Sequence, residues 1–70
     1  MDNVSRLVSR ANIKRYRIQI RFDPEQQGEE WEVKLYPDMD DDAHFYAYSS
    51  DLNSACKQLL DEVQAEFGAW

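Results

Sequence analysis

The chain has one cysteine, one histidine, two glycines and two prolines among its 70 residues. A single thiol, Cys56, excludes an intrachain disulfide and fits a reducing compartment. Two glycines are too few for a loop that brings backbone N–H groups onto a phosphate, or for collagen-like repeats. No apolar run reaches the roughly 7 residues of a secretory signal core, let alone the roughly 20 of a membrane span. The expectation is a soluble cytoplasmic protein with no membrane partner. What the chain does hold is 43% hydrophobic and 31% charged residues in 8.3 kDa. That suffices for one small core and is too apolar for a disordered chain. A core of this size supplies about 3–5 kcal/mol, which leaves room for stabilisation by a partner.

The net charge is −6, and it is unevenly placed. Residues 1–21 carry Arg6, Arg10, Lys14, Arg15, Arg17 and Arg21 against Asp2, a net of +5. Residues 22–70 carry Lys34 and Lys57 against thirteen acids, a net of −11. Such asymmetry points to an acidic surface with a basic strip. The competing reading is that the basic segment neutralises the acidic one across the fold.

Val4, Leu7, Val8 and Ala11 recur at i, i+3, i+4, i+7, which predicts a helix over 2–12 that Asp2 or Asn3 can cap and Asn12 can end. Strict alternation from Tyr16 to Phe22 predicts a strand over 15–22, with Tyr16, Ile18, Ile20 and Phe22 on one face. Trp31, Val33 and Leu35 alternate in a second strand over 31–36. An antiparallel hairpin across Asp23–Glu30 sets Phe22 opposite Trp31, Ile20 opposite Val33 and Ile18 opposite Leu35. On the other face it sets Arg21 against Glu32 and Arg17 against Tyr36. A third strand over 43–48 follows, with either Phe45 and the alanines or Tyr46 and Tyr48 inside. A helix over 51–67, with Ser50 as N-cap and Gly68 as terminator, buries Leu52, Ala55, Cys56, Leu59, Val63 and Phe67. The expected fold is a single α+β domain over 1–70. Its three-stranded antiparallel sheet packs against helices in the order α-β-β-β-α. Such a sheet has two open edges, so homodimerisation through one of them is open to it.

No catalytic set is expected. Cys56 lies on an apolar stripe, where a thiol packs as a small hydrophobe. His44 lies on a sheet surface, with no elbow glycine or oxyanion loop to serve it. Asp38, Asp40 and Asp42 open with calcium-loop spacing, but Ala43 replaces the required glycine and Ser49 the bidentate glutamate. Neither a metal nor a cofactor site is therefore expected. Two binding surfaces remain. Glu29, Glu30, Asp38, Asp40, Asp41 and Asp42 crowd the loops, and Asp61, Glu62 and Glu66 the second helix. Together they suit docking on another protein with a basic surface. On the sheet's outer face Arg17, Arg21, Lys34, Tyr36, His44, Tyr46 and Tyr48 interleave basic and aromatic groups. Such a face can hold a protein or stack nucleic-acid bases, although the −11 segment would repel a polyanion.

The helix–strand–strand–strand–helix order resembles the double-stranded-RNA-binding domain over nearly the whole chain. That resemblance implies phosphate contacts at the start of the second helix and in the loop after the first strand. Ser50-Asp51-Leu52-Asn53-Ser54-Ala55 and Asp23–Glu30 stand at those places, and neither carries the lysine cluster. The stretch from Tyr16 to Val63 also looks like the partial ribonuclease-H-like fold of HicB-type antitoxins, through three strands and a helix capped at Ser50 through Ala55. The expected function is a small acidic, non-catalytic protein-binding module of the inhibitor, antitoxin, immunity or phage anti-defence (DNA-mimic) type. A nucleic-acid binder using the sheet face is the alternative.

Overall fold

The computed structural model of the chain describes residues 2–37 and 42–68. The elements run α1 (Asn3–Lys14), β1 (Tyr16–Phe22), β2 (Trp31–Pro37), β3 (Phe45–Ser49) and α2 (Leu52–Phe67). They form the expected α+β architecture, with β2 at the centre of an antiparallel sheet ordered β1-β2-β3.

The hairpin register is the expected one: Phe22 faces Trp31, Ile20 faces Val33 and Ile18 faces Leu35. Alternation with a period of two fixes it, because a slip of one residue would turn the apolar set to water. The β2–β3 ladder pairs Val33 with Ala47 and Leu35 with Phe45. It puts Phe45 and Ala47 inside and leaves Tyr46 and Tyr48 exposed, which settles the facing of the third strand.

Several element ends move by one or two residues, each for a local reason. α1 runs to Lys14 and does not stop at Asn12, because Arg15 closes it in the left-handed region at φ 60°, ψ 45° and donates its N–H to the Ala11 carbonyl. Arg15 is then unavailable to β1, which begins at Tyr16. β2 extends to Pro37, since proline is tolerated at a strand end. β3 starts at Phe45 and not at Ala43; the His44 N–H donates to the Leu35 carbonyl (2.9 Å) just ahead of the strand. α2 is capped by Asp51, not Ser50. The Asp51 carboxylate accepts from both the N–H and the hydroxyl of Ser54, at 3.0 and 3.1 Å. Two bonds to one charged acceptor outcompete a single serine hydroxyl. Gly68, at φ 83°, ends α2 with its N–H on the Gln64 carbonyl, as expected.

Asp2 caps α1 through Oδ1 to the Ser5 N–H at 2.6 Å. The Asn3 N–H donates to Asn53 Oδ1 (2.7 Å), tying the starts of the two helices together. Each N-terminus is covered by an aspartate, which offsets two positive dipole ends placed side by side. Leu7, Ala11, Val33, Leu35, Phe45, Ala47, Ala55, Cys56, Leu59 and Val63 form the core. Phe67, expected inside, is half exposed and rests edge-on against Phe45, with ring centroids 5.8 Å apart. α2 packs on β2 and β3, while α1 packs on α2 and β1. Cover over β1 is incomplete: Tyr16 and Ile18 are half-buried, but Ile20 is 41% and Phe22 53% exposed.

Candidate functional site

The sheet's turns and α2 place the expected acidic residues. Glu29 and Glu30 end the β1–β2 loop, beside the Phe22–Trp31 pair. Asp42 lies beyond the other end of β2, roughly 20 Å away at ~3.3 Å per residue. The Phe45–Phe67 contact brings the C-terminal turn of α2, with Glu66, to that same far end. Glu62 and Glu66 are exposed, and Asp61 is exposed while paired with Lys57 Nζ at 3.0 Å. Asp38, Asp40 and Asp41, and Trp70, lie outside the described residues. The acids therefore divide between two ends of the sheet.

The hairpin end carries a cleft of about 500 Å³ lined by Arg21, Asp23, Gln26, Glu29, Glu30, Glu32 and Tyr48. A short loop builds it. The Asp23 N–H donates to the Glu30 carbonyl (2.8 Å) and the Glu29 N–H to the Gln26 carbonyl (2.9 Å), which folds Glu29 and Glu30 back toward the sheet. Glu30 Oε1 is buried with no hydrogen-bond partner. Glu32 Oε1 is also buried without a hydrogen bond, although Lys34 Nζ stands 3.4 Å from it. A buried carboxylate oxygen without a donor costs about 1–3 kcal/mol or more. Partial desolvation of its hydroxyl, then the Glu32 carboxylate to which it hydrogen-bonds, pushes the Tyr48 phenol above its ordinary 10.0. Tyr48 therefore stays neutral at physiological pH. Asp23, Glu32 and Tyr48 were missing from the expected acidic site. The register carried the clue, since Glu32 lies opposite Arg21 on one side and Tyr48 on the other.

No helix packs on the outer face of the sheet among the described residues. The Arg17 guanidinium lies 5.5 Å from the Tyr36 ring centroid, the expected stacking. The Tyr36 hydroxyl donates to Gln19 Oε1 at 2.8 Å. Arg21 faces Glu32 in the ladder, but the ion pair at that carboxylate is made by Lys34 from the same strand. Tyr46 and Tyr48 meet edge-on, centroids 6.2 Å apart, and Tyr46 is 56% exposed. His44 is exposed next to them.

Cys56 is fully buried, and burial, followed by the charges of Asp2 and Asp51, pushes its thiol above the ordinary 9.0. No known family model, curated protein or solved structure matches the chain. No helix among the described residues is long and apolar enough to cross a membrane.

Proposed function

We propose that the chain is a small, non-catalytic protein-binding module of the inhibitor, antitoxin, immunity or phage anti-defence type, and that it docks on a basic partner surface. The cleft at the hairpin end carries this reading. There the carboxylates of Asp23, Glu29, Glu30 and Glu32 gather around one opening. A basic side chain from a partner supplies the opposite charge. The remaining charges support it. The pairs Lys34–Glu32 and Lys57–Asp61 both join residues of the acidic segment. Among the described residues, Arg6, Arg10, Lys14, Arg15 and Arg21 make no ion pair with a carboxylate.

Capture from lysate with mass spectrometry tests the reading, with wild type beside Glu29→Gln/Glu30→Gln and beside Asp38→Asn/Asp40→Asn/Asp41→Asn/Asp42→Asn. A basic partner held by wild type and lost by either variant supports it. Identical partner sets for all three overturn it.

Nucleic-acid binding on the sheet face is the second reading, favoured by the exposed Tyr46 and Tyr48 beside Arg17, Arg21 and Lys34. It ranks lower because these groups already engage one another: Arg17 with Tyr36, Lys34 with Glu32, Tyr46 with Tyr48. Fluorescence anisotropy with an oligonucleotide at low salt decides it. Absence of binding, or binding unchanged in Arg17→Ala/Arg21→Ala, removes it.

A further inference from the structure

The geometry points to self-association through the free edge of β1, with Phe22 of each copy filling a groove in the other. It does not rest on the cleft reading, although Arg21 and Asp23 belong to both surfaces.

β1 is an edge strand. Because the Asp23 N–H bonds the Glu30 carbonyl, and antiparallel bonding alternates, Arg17, Gln19 and Arg21 bond toward β2. The N–H and C=O groups of Ile18, Ile20 and Phe22 then point away from the sheet. The side chains of those same residues lie on the helix side, where cover is thinnest: Ile20 is 41%, Phe22 53% and Val8 49% exposed. An open groove of about 440 Å³ runs between α1 and β1, lined by Val8, Ala11, Asn12, Tyr16, Ile18 and Ile20. β3 is different, because α2 covers it and buries Phe45 and Ala47.

The charge pattern selects both the occupant and the register. Tyr-Arg-Ile-Gln-Ile-Arg-Phe is nearly palindromic about Gln19, but a two-fold axis there sets Arg17 opposite Arg21 of the partner subunit, twice. Like charges directly opposite one another destabilise a ladder. Moving the axis to Ile20 removes the conflict. Arg17 then faces Asp23 of the partner subunit, and Gln19 faces Arg21 of the partner subunit. Ile20 meets Ile20 of the partner subunit, and Ile18 meets Phe22 of the partner subunit. Each of these apolar pairings joins residues whose backbone groups face outward, as a hydrogen-bonded pair requires. The same step carries Phe22 of each copy to the Ile18 position of the other, which lies on the groove. An isologous two-fold contact of this kind closes at two copies and joins the sheets into one of six strands.

Sedimentation equilibrium of the full chain, up to about 1 mM, reads the association. The expected result is a monomer–dimer equilibrium that Phe22→Ala and Ile20→Lys each weaken at least ten-fold, with circular dichroism confirming that they fold. A monomer throughout overturns the inference. Single-cysteine probes read the register without depending on those variants. In the dimer, paired Cα atoms sit about 5.5 Å apart, within disulfide reach. Ile20→Cys therefore cross-links rapidly under mild oxidant, while Gln19→Cys does not. Cross-linking at Gln19→Cys with none at Ile20→Cys, or at neither, overturns it. The buried Cys56 stays out of reach of the oxidant. Because the cleft residues Glu29 and Glu30 lie on the loop and not on this edge, a loss of partner capture and a loss of dimer are separately readable.

Discussion

The two edges of the sheet end in opposite ways. At β3 the apolar side chains Phe45 and Ala47 vanish beneath α2. At β1 the equally apolar Ile20 and Phe22 stay in water. Each strand turns alternate side chains toward the helices, so the difference lies in the layer above them. α2 has 16 residues and reaches across both β2 and β3, whereas α1 has 12 and reaches only part of β1. Alternation reveals which way a side chain points; whether anything covers it depends on the length and placement of another element.

Truncating each side measures this contrast. Leu59→Ala, beneath the covered edge, is expected to cost about 2–5 kcal/mol. Ile20→Ala, read at protein concentrations where the chain is monomeric, should cost less than half as much. Urea denaturation with unchanged m-values compares the two, and equal losses would break the contrast. Next in size is the cap of α2. Asp51→Ala removes the acceptor for the Ser54 N–H and hydroxyl and should cost about 1 kcal/mol. Ser50→Ala should cost little in the same measurement, and the reverse order would restore Ser50 as the cap. On the outer face, Arg17→Ala should cost about 0.5–1 kcal/mol through loss of its contact with Tyr36.

pH separates buried from exposed groups with no mutation at all. The Cys56 thiol is raised above 9.0 by burial, so the folded chain holds a proton that the unfolded chain releases near that value. The thiol's contribution is therefore constant below about pH 9 and is lost as pH rises further. Cys56→Ala should flatten that fall, though Tyr48 adds to it at higher pH. At the acid end Asp2 behaves oppositely. Hydrogen bonds from Ser5 lower its pKa below 3.8, so its contribution is present above that value and is lost as pH falls through the lowered one. Thermal melts across both ranges test the signs.

Much of this fold was legible because one face of each strand must be apolar. The hairpin register and the stripe of α2 both follow from that requirement. The facing of β3 was not legible, since Phe45, Tyr46, Ala47 and Tyr48 are all apolar enough to be buried. The cap of α2 is not legible either, because Ser50 and Asp51 are both good caps, and only the position of Ser54 separates them. The acidic site was half legible. Glu29 and Glu30 stand out as charges in the sequence, but Asp23, Glu32 and Tyr48 join them only once the two ladders place three strands side by side.

Arg15 is a joint one residue long, holding φ at 60° between a helix that ends at Lys14 and a strand that begins at Tyr16. With no slack on either side, its backbone angles aim α1 across β1 and so set how wide the channel beneath Val8 stands. A single inserted residue at this joint would re-aim the whole helix, so the breadth of the opening is governed from a position that lies outside both elements.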